Sequence, residues 1–218
     1  VGAPAAMAQK QGGTLKIYHR DNPPSASIHE EATVSTIMPF MSIYNNLVVY
    51  DQTKPLNSPE TIVPDLADSW SWDATGTRLT FKLHAGVKWH DGQPFTAKDV
   101  VCTFDKLLGK SKDPLRKNPR KIWYQNVKGV ETKGDLEATI VLERPQPAIV
   151  SMLASGYSPV YPCHVSSKDM RTKPIGTGPF KFVEFKQNES IRLVRNPDYF
   201  KKGKPHVDAV EFRIISSR

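Results

Sequence analysis

Between Arg78 and Leu108 the spacing of apolar residues changes once, and that change fixes an order of local structures. In "TRLTFKL", Leu79, Phe81 and Leu83 alternate with Arg78, Thr80 and Lys82, which is the period of a half-buried strand. The preceding "DSWSWD" joins it through "ATG", a connection short enough to predict antiparallel pairing. A second strand is predicted over Val87 to Trp89, and "DGQP" then supplies turn residues. Thr96 and Asp99 form a capping pair, in which the hydroxyl accepts from an N-terminal amide and the carboxylate reaches back. Beyond them Val100, Val101, Phe104, Leu107 and Leu108 recur at helical spacing, so a helix with one buried face is expected from Thr96 to Leu108. His90 and Asp91 sit between these elements. Adjacent residues at a strand end point to opposite sides, so the two are punctuation rather than a dyad.

The same reading extends along the chain. "GTLKIYH" alternates Leu15 and Ile17 against Thr14 and Lys16 as a strand, and "RDNPPSAS" follows as a fixed, extended loop. Residues 33–45 read as helical, with Pro39 expected to break or kink the helix. "LVVYD" is a short strand, "NVKGVET" and "EATIVLE" are a strand pair, and "PAIVSMLAS" is a helix. "GPFKFVEF", "SIRLVRN" and "VDAVEFRIIS" are three further strands.

No run approaches the roughly 18 apolar residues needed to cross a bilayer. "VGAPAAMAQ" has the small-residue form of a secretory cleavage site, with Ala6 and Ala8 around Met7. Residues 1–8 are accordingly read as the end of a leader, against the alternative of a tail with no structural role. Cys102 and Cys163 lack any CxxC spacing, and the favoured reading is two small buried hydrophobes, with a bridge possible only after export. The net charge is +8, and seven of the cations fall between Lys106 and Lys121 with Trp123 and Tyr124 behind them. Single-strand nucleic-acid binders combine cations and aromatics in this way. Two prolines, a glycine and the lack of a period favour a solvated loop over that reading.

Enzymatic signatures are sparse. His19, His29, His84, His90, His164 and His206 form no HxxxH or HxH pair, and no cysteine cluster accompanies them, so neither a metal site nor a cofactor is expected. "IGTGPFKF" leads into a strand, whereas a phosphate cradle needs a helix N-terminus behind its glycines. Gly176 and Gly178 are therefore conformational glycines. No GxSxG elbow is present.

Two long motifs carry a family resemblance. "LADSWSWDATGTRLTFKLHAGVKWHDGQPFTAKDVVCTFDKL", Leu66 to Leu107, and "PIGTGPFKFVEFKQNESIRLVRNPDYF", Pro174 to Phe200, resemble in order and spacing the signature blocks of the family 5 extracellular solute-binding proteins. These are the peptide, dipeptide and nickel receptors of bacterial ABC importers. The resemblance implies an α/β (α+β) fold, a periplasmic-binding-protein-like class II lobe with a mixed sheet and a smaller inserted α+β subdomain. It places a discontinuous core at residues 9–47 and 163–218 and the insert at 48–162, with the second lobe outside this sequence. It further implies an exported, periplasmic receptor with no catalytic step. Such a receptor binds a small peptide or similar solute and delivers it to a membrane permease. The absence of a cysteine after the apparent cleavage site argues against a lipid anchor.

By the same resemblance, Glu31, Ala32 and Thr33 present backbone groups to an extended ligand, a mode of pairing that ignores side-chain identity. The plain alternative is a polar lead-in to a helix. Trp123 and Tyr124 fall where relatives offer an aromatic wall, although an aromatic before a strand is as often core. Ser155 and Tyr157 fall on the loop that rims the cleft, or on an ordinary turn. A nickel or metal-chelate receptor of the same fold and a basic nucleic-acid-binding module are the competing readings.

Overall fold

The computed structural model describes residues 11–215, so the leader reading of residues 1–8 lies outside the described part. Two four-stranded sheets organise the chain, one built from its two ends and the other from its middle.

The middle sheet is antiparallel. Strands β4 (Ala67–Trp72) and β5 (Arg78–Leu83) pair as the alternation and the short turn predict, and Gly76 takes the left-handed conformation in that turn. Strands β6 (Val127–Thr132) and β7 (Glu137–Leu142) add beside β5, giving the order β4-β5-β7-β6. Helix α2 (Ala97–Leu108) covers this sheet with Val100, Phe104 and Leu107, which pack among Leu79, Phe81, Ile140 and Trp89. Thr96 and Asp99 form the capping box, and Gly109 closes the helix in the left-handed conformation. A small hairpin of β2 (Val48–Tyr50) and β3 (Ile62–Pro64) and the short α3 (Ile149–Leu153) border the same region.

Residues Val87 to Trp89 are not a strand. Trp89 N–H donates to the Gln93 carbonyl at 2.8 Å and Phe95 N–H to that of Val87 at 2.9 Å, which leaves one isolated bridge, Lys88 to Pro94. The turn residues fold the chain back before a ladder can extend.

The other sheet is mixed. Strand β1 (Thr14–His19) runs parallel to β10 (Ala209–Ile214), which pairs antiparallel with β9 (Ser190–Arg195), itself antiparallel to β8 (Phe180–Lys186). Gly13 N–H donates to the Asp208 carboxylate at 2.8 Å across 195 positions of sequence. Ile28, Phe40, Ile43, Tyr161, Met170, Ile191 and Phe212 form its core, with Met170 contributed by the four-residue α4 (Ser167–Met170).

Helix α1 (Val34–Phe40) keeps Pro39 inside it and continues as a 3-10 turn, Met41–Ile43. Proline at 39 cannot donate to the Ser35 carbonyl, and His19 Nε2 takes that carbonyl at 2.9 Å instead. The expected break is thereby reduced to a tightening of the last turn.

Cys102 and Cys163 are bridged, which overturns the reading of two separate thiols. The segment 161–163 is held along α2 by Tyr161 N–H to Thr103 Oγ1 and Cys163 N–H to Asp99 Oδ1, both 2.9 Å, and the sulfurs meet there. Sixty-one positions of sequence separate them, so no local spacing announces the pair.

The two halves are joined at "WHDG" and "IGTG". His90 N–H donates to the Gly176 carbonyl at 2.9 Å, His90 Nε2 to the Gly178 carbonyl at 3.0 Å, and Gly176 N–H reaches His90 Nδ1 at 3.3 Å. Asp91 turns away and meets His164 Nε2 at 2.7 Å. A Cβ on Gly176 would lie 1.9 Å from the Ile43 carbonyl oxygen, so close approach of backbones, not an unusual φ, demands glycine there.

Candidate functional site

The residues singled out above converge on one arginine that none of the motifs marked. Arg120 ends the loop after α2 and is only 4% exposed. Its Nη1 donates to the Glu31 carbonyl at 2.9 Å and its Nη2 to the Ile28 carbonyl. Its Cζ lies 4.8 Å from the centre of the Tyr157 ring, whose edge meets Trp123 with centroids 6.1 Å apart at 77°. Burial lowers the Arg120 pKa, and its Nε has no partner among the described residues. One guanidinium thus ties the loop before α1 to the aromatic pair.

The loop itself is anchored by acids. Glu30, with a fully buried side chain, accepts from Arg171 Nε and Nη2 at 2.6 and 2.9 Å. Glu31 accepts from Ser25 Oγ at 2.9 Å and from Arg116 Nη2 at 3.1 Å. With those carboxylates fixed inward, Ala32 and Thr33 are exposed, and neither peptide group of Ala32 is hydrogen-bonded among the described residues. Behind them α1 exposes Val34 and Met38.

Ser155 and Tyr157 lie on the neighbouring loop, both half-buried. The Ser155 carbonyl accepts from Asn46 Nδ2 at 2.7 Å, and its hydroxyl donates to the Met152 carbonyl at 2.7 Å. A groove of about 600 Å³ runs from this loop past Tyr50 and Asn45 to Asp65 and Lys201. Asp65 is buried there, accepting from Asn45 Nδ2, the Asn46 N–H and the Lys201 ammonium. Burial raises its pKa and the lysine opposes the rise. Tyr199 beside it is pushed up to about 12 by burial.

Of the seven candidate residues, Ala32, Thr33, Trp123, Ser155 and Tyr157 reach the surface at least in part, and Glu31 is only 8% exposed. Tyr124 is buried: it is 1% exposed, edge-on to Phe104, with its hydroxyl 2.9 Å from Ser158 Oγ. In the one-turn 3-10 helix Lys121–Tyr124, with about three residues per turn, Tyr124 is turned about a third of a circle from Trp123, so Tyr124 enters the core while Trp123 stays half-buried.

The basic run is also not uniformly solvated. Lys106 is buried, bonded to Asp113 and to Ser167 Oγ at 2.8 Å, and Arg120 is buried as described, while Lys110, Lys112, Arg116, Lys117 and Lys121 are exposed. Sequence reasoning missed Arg120 because it stood within a charge run. Nothing in the sequence singles it out, because its partners are the Ile28 and Glu31 backbone carbonyls, while the Glu30 and Glu31 carboxylates are met by Arg171 and Arg116.

The family model for the bacterial extracellular solute-binding proteins, family 5, matches residues 61–218. The chain belongs to this family. A family 5 relative, the probable di/tripeptide-binding protein 5 of Pseudomonas aeruginosa (strain UCBPP-PA14), is 31% identical over 97% of this chain and 44% of its own length. The oligopeptide-binding protein AppA of Bacillus subtilis, solved with a nonapeptide, superposes with a TM-score of 0.81 at 32% identity, over 94% of this chain and 40% of that one. NikZ of Campylobacter jejuni, solved with Ni(L-His), shares the fold at 22% identity, with a TM-score of 0.76 over 93% of this chain and 39% of its own. The family 5 chain described here thus spans less than half the length of these relatives. Its mixed α/β architecture is that of periplasmic-binding-protein-like structures. Among the described residues no helix is long and apolar enough to cross a membrane.

Proposed function

We propose that this chain is the first lobe of an exported solute-binding receptor that takes di- or oligopeptides, or a similar small solute, into a cleft between two lobes and delivers it to the permease of an ABC-type importer. On this reading residues 9–47 and 163–218 form the lobe core, residues 48–162 are the inserted subdomain, and the second lobe lies outside the 218 residues. The reading places the protein in the periplasm, where the Cys102–Cys163 bridge is stable. Its mechanism is binding and lobe closure, with no covalent step.

The observation that carries it is the surface gathered by Arg120. Ala32 offers unpaired backbone groups at an exposed edge, which suits pairing with a ligand of any side-chain sequence. Tyr157 and Trp123 stand beside it as an aromatic wall held in place from behind. Glu31 and Thr33 frame the edge, and Ser155 rims the groove that leads away from it. Glu31 contributes by position alone, because its carbonyl is held by Arg120 and its carboxylate by Ser25 and Arg116.

Titration calorimetry of the chain with Ala-Phe and trialanine tests the reading. Tyr157→Ala is expected to weaken binding about tenfold, the loss of roughly 1.4 kcal/mol of aromatic contact. Silence towards peptides together with tight binding of nickel or nickel–histidine would overturn it in favour of a metal-chelate receptor.

A further inference from the structure

A second groove, of about 530 Å³, lies on the other side of the aromatic pair. Trp123, Ile122 and Met152 make its apolar wall, and Ile122 is 69% exposed. Arg144 also lines it, and no aspartate or glutamate is among its lining residues. Among the described residues Arg144 makes no ion pair.

The groove is a fixed feature of the backbone. Asn126 grips Arg144 from both sides, its Oδ1 accepting from the Arg144 N–H at 3.2 Å and its Nδ2 donating to the Arg144 carbonyl at 2.8 Å. The same Nδ2 reaches Gln146 Oε1 at 2.9 Å, so the strand exit of β7 and the turn after Trp123 are locked together. With its amide committed to this bracing, Asn126 leaves the guanidinium as the polar group able to take a charged partner.

We propose that this groove is a subsite for a carboxylate-bearing end of the solute. The guanidinium of Arg144 binds the carboxylate, and an apolar side chain packs on Trp123 and Ile122. An arginine fork matches a carboxylate in shape and charge, and a neighbouring apolar wall lowers the local dielectric that would otherwise weaken the bond. Trp123 is then shared by two regions, meeting Tyr157 and also lining the groove. The inference rests on reading the Tyr157–Trp123 surface as the solute face, and the two can fail separately.

The test uses N-acetylphenylalanine and its uncharged amide as probes, with the indole resonance of Trp123 followed by NMR. The free acid is expected to bind about tenfold more tightly than the amide, the worth of one charge-assisted contact. Arg144→Gln should erase that ratio while leaving the amide unaffected, and Arg144→Lys should restore part of it. An unchanged ratio in Arg144→Gln, with trialanine still bound, overturns the subsite and leaves the receptor reading standing. Probe binding that depends on Arg144, without any peptide binding, upholds the subsite and overturns the peptide receptor. If neither probe nor peptide binds, both fall.

Discussion

The two four-stranded sheets of this molecule are of equal size and reach their order by opposite routes. The β4-β5-β7-β6 sheet is antiparallel, and its β4-β5 and β6-β7 hairpins each close through a short turn. The β1-β10-β9-β8 sheet requires β1 to find β10 from the far end of the chain and to lie parallel to it. A local sheet is specified by alternation and turns, whereas a sheet built from chain ends must be brought together by contacts that close long loops, at an entropic cost. Those contacts are visible here as the Glu30–Arg171 pair and the joint between His90 and the glycines at 176 and 178. The lesson is that the mixed sheet depends on the joints, and the antiparallel sheet much less so.

This asymmetry can be broken, and the largest effect is expected at Gly176. An added methyl group would collide with the backbone of Ile43, and Gly176→Ala should cost roughly 4–5 kcal/mol or more, as backbone overpacking does when neither side can move. Hydrogen exchange should then accelerate in β1, β9 and β10 while β5 and β7 stay protected; equal acceleration in both sheets would refute the asymmetry.

Replacing both cysteines by serine comes next. Releasing a loop of 61 positions should cost about 4 kcal/mol on the chain-entropy account, read as a lower midpoint in urea. That loop carries β6 and β7, so faster exchange is expected there, which sets this variant apart from Gly176→Ala.

Smaller and graded is the response to acid. Burial lowers the pKa of His29 to about 3 and that of His90 to about 4, against 6.5 for the ordinary side chain. Between about pH 6.5 and 4 the unfolded chain therefore binds more protons than the folded one, and stability falls as pH falls. The steepest slope is about 1.4 kcal/mol per pH unit for each histidine. Asp65, raised by burial, works in the opposite sense above the ordinary aspartate value and flattens the acid end. His90→Gln should remove about half of the histidine slope in denaturant titrations at pH 7, 6 and 5. It should leave solute affinity within about threefold, roughly 0.7 kcal/mol, because His90 bonds to Gly176 and Gly178 and not to the Arg120 surface. A full slope in that variant would return the acid response to His29 alone.

Legibility differs between fold and site for the same physical reason. Strand β5, helix α2 and its capping pair were readable because period, turn and cap are short-range properties. Val87 to Trp89 failed as a strand because three residues carry too little pattern to distinguish a ladder from a folded-back turn. The short α4 and β3 were passed over for the same shortness. At the site, Trp123, Tyr124 and Tyr157 were singled out by the family resemblance, but Tyr124 could be separated from Trp123 only by seeing which way the 3-10 turn faces. Arg120 and Lys106 read as members of a solvated run because charge counts say nothing about which cation a buried carbonyl or carboxylate will claim.

By itself, then, the sequence determined the local elements, the antiparallel hairpins and the family, since these rest on spacings of a few residues and on two long motifs. The tertiary structure alone decided that β1 runs parallel to β10, that Cys102 meets Cys163, and that Arg120 holds Glu31 and Tyr157 together. Each of those facts joins residues tens to almost two hundred positions apart, and contacts at such separations are set by packing and burial rather than by any period along the chain.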